Sequence, residues 1–175
     1  YQEILSDPSY AGQFVCLTTP EIGNVGANPD DEESQAHGCL GLLVRAISPA
    51  VSNHRAAESL PAYLARRGIP GIAEFDTRAL TRHVRDRGAM MAALCSDGSK
   101  TVDELQALAK GAKSMGGCDL ASTVTTAKTY EWDQGSWGQA SLPEADVCVV
   151  VYDYGVKLSI LRRLRDAGAR VVVVP

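Results

Sequence analysis

Apolar and polar positions follow two periods along this chain, and turn residues stand where the period changes. Residues 13–18 (QFVCLT) are a β-rich run closed by Pro20, and residues 40–47 are a second apolar strand. Residues 58–67 follow the helical period, with Leu60, Tyr63 and Leu64 on one face and Gly68 as the stop. A short strand is expected over residues 69–75. Asp76 then caps a helix over 77–87, with Leu80 and Val84 as its stripe and Gly88 at its end. Residues 89–95 read as strand. After Asp97-Gly98, Thr101 starts a helix with Val102, Leu105 and Leu108 at spacings of three and Glu104 one turn in. The opening ten residues, YQEILSDPSY, predict one amphipathic turn and then a turn at Ser6-Asp7-Pro8-Ser9, because Pro8 pushes Asp7 out of the helical region.

From 111 to 143 the pattern weakens into an irregular connection containing Trp132 and Trp137. Residues 147–153 (VCVVVYD), 157–167 and 170–174 then read as strand, helix and strand. The continuous Val run is typical of a parallel strand buried on both faces. Alternating strands and helices place the chain in the α/β or layered α+β class.

Composition narrows the function classes. The chain has 175 residues, 17 Lys plus Arg against 21 Asp plus Glu, and a formal charge of −4. Mild acidity spread along the chain argues against nucleic acid or an anionic membrane surface as partner, since both need a concentrated basic patch. No apolar run approaches the roughly 18 residues of a membrane span. Five cysteines at wide spacings, with no C-x-x-C pair, suggest neither a zinc site nor a disulfide framework, and so a reducing, cytoplasmic compartment. The length allows one domain or slightly more at about 150 residues per domain. The first residue is Tyr1, and the chain reads as a piece of something longer.

Several clusters invite chemistry. His37-Gly38-Cys39-Leu40-Gly41 has the G-x-C-x-G form of a nucleophile elbow, but an elbow needs an apolar strand before it and a helix after it. Here the preceding residues are polar and the following ones strand-like, which favours a buried or loop thiol. Asp30-Asp31-Glu32-Glu33 lacks the alternating spacing of a calcium loop and reads as a solvated turn or a helix N-terminus. Arg78, Arg82, Arg85 and Arg87 make a basic helix, which is either a solvated face or a surface for a protein partner. His54 and His83 have no ligand-spaced companion. Tyr152-Asp153-Tyr154-Gly155-Val156-Lys157 puts one glycine between a strand and a helix, far short of a G-x-G-x-x-G dinucleotide motif.

The whole chain nevertheless carries a family pattern. YQEILSDPSY, Thr19-Pro20-Glu21-Ile22-Gly23-Asn24-Val25-Gly26, Asp31-Glu32-Glu33-Ser34, Gly71-Ile72-Ala73 with Asp76-Thr77-Arg78-Ala79-Leu80-Thr81-Arg82, Asp119-Leu120, Gln134-Gly135-Ser136-Trp137, and Tyr152-Asp153-Tyr154-Gly155-Val156-Lys157 with Ile160-Leu161-Arg162 follow one another in order. Together they resemble the small, glutamine-hydrolysing subunit of carbamoyl phosphate synthetase. The resemblance implies an α/β chain: a layered β/β/α N-terminal domain over residues 1–143, lacking its start, and over 144–175 the first βαβ unit of a flavodoxin-like glutamine amidotransferase domain. It also implies release of ammonia from glutamine. The ammonia passes to a large subunit that uses ATP, with Mg or Mn, and bicarbonate for arginine and pyrimidine synthesis. No cofactor is implied in this chain. The expected partners are the large subunit, as a heterodimer, and L-glutamine, with no nucleic acid or membrane.

The family's Cys, His and Glu triad would lie outside this chain, leaving no catalytic residue in it. Ser9, in the D-P-S-Y block, carries over as a glutamine contact. Ser159 stands where the family usually has Asn. A non-catalytic module that docks a large partner, with Ser9 as a plain turn residue, is the alternative reading. The purified 175-residue chain is expected to release no ammonia from glutamine. Release that Cys39→Ser abolishes would restore Cys39 as a nucleophile and overturn the resemblance.

Overall fold

A computed structural model describes residues 1–36 and 38–175; His37 of the G-x-C-x-G segment lies outside the described residues. In chain order the elements are α1 (Gln2–Ser6), β1 (Phe14–Leu17), β2 (Gly41–Val44), α2 (Leu60–Arg67), β3 (Gly71–Ile72), α3 (Thr77–Arg87), α4 (Val102–Gly111), α5 (Ala121–Val124), β4 (Tyr130–Trp132), β5 (Val147–Tyr152), α6 (Leu158–Asp166) and β6 (Ala169–Val174). Short 3-10 turns stand at Pro8–Tyr10 and Pro29–Asp31. Parallel pairing and alternating helices make this a mixed α/β chain. It forms two compact units that do not follow chain order.

The first unit comprises Tyr1, Gly12–Asn28 and Cys39–Cys118. Its sheet, in the order β1-β2-β3, is entirely parallel. Gly41 pairs with Phe14 across it, and a Cβ on Gly41 would lie 2.8 Å from the Phe14 ring. α2 forms where the period indicated. Ser59 caps it by accepting from the Ala62 N–H, Leu60, Tyr63 and Leu64 are buried, and Gly68 ends it in the left-handed region. Asp76 caps α3 through the Ala79 N–H at 2.9 Å, with Leu80 and Val84 half-buried beneath. Thr101 and Glu104 form a reciprocal capping box at the start of α4, yet Val102 and Leu108 are exposed, so its apolar stripe has the helical period without packing.

Two expectations fail in particular places. Residues 89–95 form no strand; Met90 and Met91 are exposed and no ladder partner stands beside them among the described residues. Strand propensity reports a fit to a half-buried pleated surface, so apolar alternation without a neighbour does not make a strand. Residues 111–143 are also less irregular than their composition implies, because α5 and β4 lie within them.

The second unit comprises Gln2–Ala11, Pro29–Gly38 and Asp119–Pro175. Its sheet has the order β4-β6-β5: β5 and β6 are parallel, joined by α6, and β4 runs antiparallel on the far edge. Leu161 of α6 and Ala169, Val171 and Val173 of β6 are the buried core, with Trp132, Val149, Val151 and Leu164 packed on it. β6 alternates because α6 covers one face. β5 is an edge strand, and its burial on both faces is not found: Val150 is 56% and Tyr152 65% exposed. In urea unfolding of this chain, Leu161→Ala should destabilise the second unit by about 2–5 kcal/mol and Val150→Ala by less than about 1 kcal/mol. Equal effects would contradict this assignment of the core.

Candidate functional site

In open α/β sheets ligands bind beyond the carboxyl ends of the parallel strands. At that end of β5 the chain turns through Asp153, Tyr154, Gly155 and Val156 before entering α6. The buried Asp153 carboxylate holds this turn. One oxygen accepts the Gly155 and Val156 N–H groups, both at 2.9 Å, and the other accepts the Thr126 N–H at 2.8 Å. The Asp153 N–H donates to the Val174 carbonyl at 2.8 Å, which ties the turn to β6.

Gly155 lies in the left-handed region, with φ 89°. A Cβ there would sit 2.8 Å from Val124 Cγ2 and 3.1 Å from Pro8 Cβ. The missing methyl therefore admits Pro8 and, with it, the turn that carries Ser9. This turn forms as the Asp-Pro pair dictates. Asp7 is extended and accepts the Ser9 N–H at 2.8 Å, and its second oxygen lies 3.5 Å from Lys157 Nζ. Ser9 is thereby exposed at the carboxyl end of the parallel strands, two residues from the Asp7 carboxylate that faces Lys157. An exposed hydroxyl in such a turn can donate to or accept from the polar end of a small amino acid.

The start of α6 contains the residue that sequence reasoning missed. Lys157, at its N-cap, makes no side-chain capping bond. Glu33, 126 residues away from Ser159, does so instead: its carbonyl accepts the Leu158 N–H at 3.1 Å and its carboxylate the Ser159 N–H at 2.8 Å. The Glu33 N–H donates to Ser6 Oγ at 2.9 Å, and that hydroxyl donates to the Gln2 carbonyl at 3.0 Å. Arg162 donates to the Glu32 carbonyl at 3.2 Å. The expectation of a solvated acidic turn is thus corrected: Asp30 is exposed, but Glu32 and Glu33 are each only 3% exposed. An open depression of about 530 Å³, bordered by Glu3, Glu33, Lys157, Ser159 and Arg163, lies over this junction.

Elsewhere the clusters do not assemble. Cys39 is buried, desolvation pushes its thiol up, and the strand β2 follows it, so neither the elbow nor an activated thiolate is present there. Among the described residues no group of three His, Cys, Asp or Glu side chains could hold a metal ion. The α3 arginines are exposed, and Arg85 pairs with the adjacent Asp86 at 3.1 Å. Asp166, at the last turn of α6, accepts the Ser136 N–H at 2.9 Å and its hydroxyl at 2.6 Å; these bonds hold its carboxyl below the usual range and anchor the Gln134-Gly135-Ser136-Trp137 loop.

Comparison with known proteins shows the family. The model of the carbamoyl-phosphate synthase small chain, CPSase domain, matches residues 1–94, more than half of the chain. The chain belongs to the carbamoyl-phosphate synthase small chain family. It is 48% identical over 182 residues to the carbamoyl phosphate synthase small chain of Thioalkalivibrio sulfidiphilus, with all of this chain and 47% of that one covered. It is 49% identical over 184 residues to the Pectobacterium atrosepticum small chain, covering 48% of it. A chloroplastic small chain of Oryza sativa subsp. japonica is 47% identical over 179 residues, with 40% of it covered. The chain therefore spans about half the length of these small chains. Gly155→Ala should destabilise the second unit by roughly 2–4 kcal/mol, combining left-handed strain with displacement of Pro8 and Val124. A loss under about 0.5 kcal/mol in chemical denaturation would mean that this close approach is not required.

Proposed function

We propose that this chain is part of the glutamine-hydrolysing subunit of a carbamoyl phosphate synthetase, and that Ser9 contacts the glutamine. The observation that carries the reading is the position of the Ser9 turn, packed on Gly155 at the carboxyl end of the parallel strands. In this proposal residues 1–143 form a layered β/β/α domain. Residues 144–175 begin a flavodoxin-like glutaminase domain, whose remaining part covers the open face of β5 and supplies Cys, His and Glu.

The chemistry is acyl transfer. A thiolate activated by His attacks the side-chain amide, oriented N–H groups stabilise the oxyanion, and water releases glutamate from the thioester. Ser9 orients the substrate from outside the domain that carries the nucleophile. Ammonia passes to the large subunit, which uses ATP, a divalent metal and bicarbonate to make carbamoyl phosphate for arginine and pyrimidine synthesis. The exposed arginine face of α3 supports docking on that partner. Cysteine usage supports a reducing, cytoplasmic setting, and no helix among the described residues is long and apolar enough to cross a membrane.

In a full-length small chain carrying this sequence, assembled with its large subunit, Ser9→Ala should raise KM for glutamine roughly tenfold. This corresponds to losing about 1.4 kcal/mol from one hydrogen bond to a charged group. Turnover with ammonia supplied directly should be unchanged. An unchanged glutamine KM would leave the chain as a docking module in which Ser9 is only a turn residue.

A further inference from the structure

We infer that Glu33 is a positioning residue for glutamine: by capping α6 and holding Ser6, it sets the turn that presents Ser9. The inference rests on the reading of Ser9 as a glutamine contact.

Three observations carry it. α6 begins without a cap of its own, because the Lys157 side chain makes no capping bond and the Ser159 N–H donates to Glu33. The first N–H groups of a helix need acceptors, and those of Leu158 and Ser159 both donate to Glu33, one to its carbonyl and one to its carboxylate. Glu33 is also bonded in the opposite direction, through its N–H, to the fully buried hydroxyl of Ser6. Ser6 closes α1 and immediately precedes Asp7, whose carboxylate orders Ser9. One buried residue thus joins the segment that bears Ser9 to the first turn of the helix after β5. No step of the chemistry passes through Glu33; its effect on glutamine reaches Ser9 through Ser6 and Asp7.

The registration has two independent sides, which makes it separable by substitution. Pro8 is seated on Gly155, and Glu33 reaches Ser6 and Leu158 through its main chain, so removing its carboxylate deletes the Ser159 bond alone, which weakens the seat of the Glu33 segment on α6 without emptying the Pro8 packing site. Gln keeps a carbonyl oxygen at the same reach and can still accept the Ser159 N–H. Asp keeps the charge but withdraws it by one methylene.

The test is steady-state kinetics of the full-length small chain assembled with its large subunit, comparing wild type, Ser9→Ala, Glu33→Ala, Glu33→Gln and the double variant Ser9→Ala/Glu33→Ala. Glu33→Ala should raise the glutamine KM three- to tenfold with kcat little changed, Glu33→Gln should restore most of it, and Glu33→Ala should add no further rise in the Ser9→Ala background. If Glu33→Ala fails to fold, Glu33→Asp replaces it with the same expectation. Should Ser9→Ala raise KM while the Glu33 variants do not, or should the two effects multiply in the double variant, the positioning role is overturned and the Ser9 reading stands. An unchanged KM in Ser9→Ala overturns both.

Discussion

Pro8 and Val124 occupy the space where Gly155 would carry a Cβ, and the candidate site depends on that close approach. A left-handed residue after β5 lets the chain reverse into α6 with its backbone exposed to two neighbours. The buried Asp153 carboxylate then fixes the reversal through three backbone N–H groups. A buried carboxylate is tolerable only when its lone pairs are satisfied. Here those bonds join three places in the sequence: the end of β5, the segment after α5, and the start of α6. The Ser9 turn is the fourth, held by shape rather than by a bond to Asp153.

The same economy of contacts explains why a turn near the beginning of the chain is found with residues near its end. Gln2–Ala11 and Pro29–Gly38 belong to the unit built on β4, β5 and β6, with Leu5 and Pro8 buried. Their attachment also has polar, directional bonds. Glu33 satisfies the helix start, Asp7 faces Lys157, and Arg162 bonds the Glu32 carbonyl. Polar attachment of this kind fixes register more than it adds stability, because each bond replaces one made to water. That suits a segment proposed to present one hydroxyl.

Much of this was legible in the residues. The turn at Asp7-Pro8, the caps at Asp76 and Thr101, the glycine stops and the final strand, helix and strand are local features, and local physics set them. What could not be read locally depended on partners distant in sequence. β4 is a strand because β6 offers it an edge, whereas residues 89–95, with a better apolar pattern, have no edge beside them and are not. Glu33 was hidden in an acidic run whose composition suggests solvent. The available signal was indirect: α6 opens at Lys157, a poor capping residue, so an acceptor had to come from elsewhere. Ser9 was reached only through the family pattern, since a Ser after Pro in a turn has no distinguishing chemistry by itself.

The turn seated on Gly155 is proposed to present Ser9 to glutamine. A crystal structure of the full-length small chain, its nucleophile replaced and glutamine bound, tests it most directly. Ser9 Oγ should lie within about 2.5–3.2 Å of a polar atom of the amino-acid end of glutamine. Glutamine bound with Ser9 Oγ beyond about 3.5 Å from any of its polar atoms would contradict it.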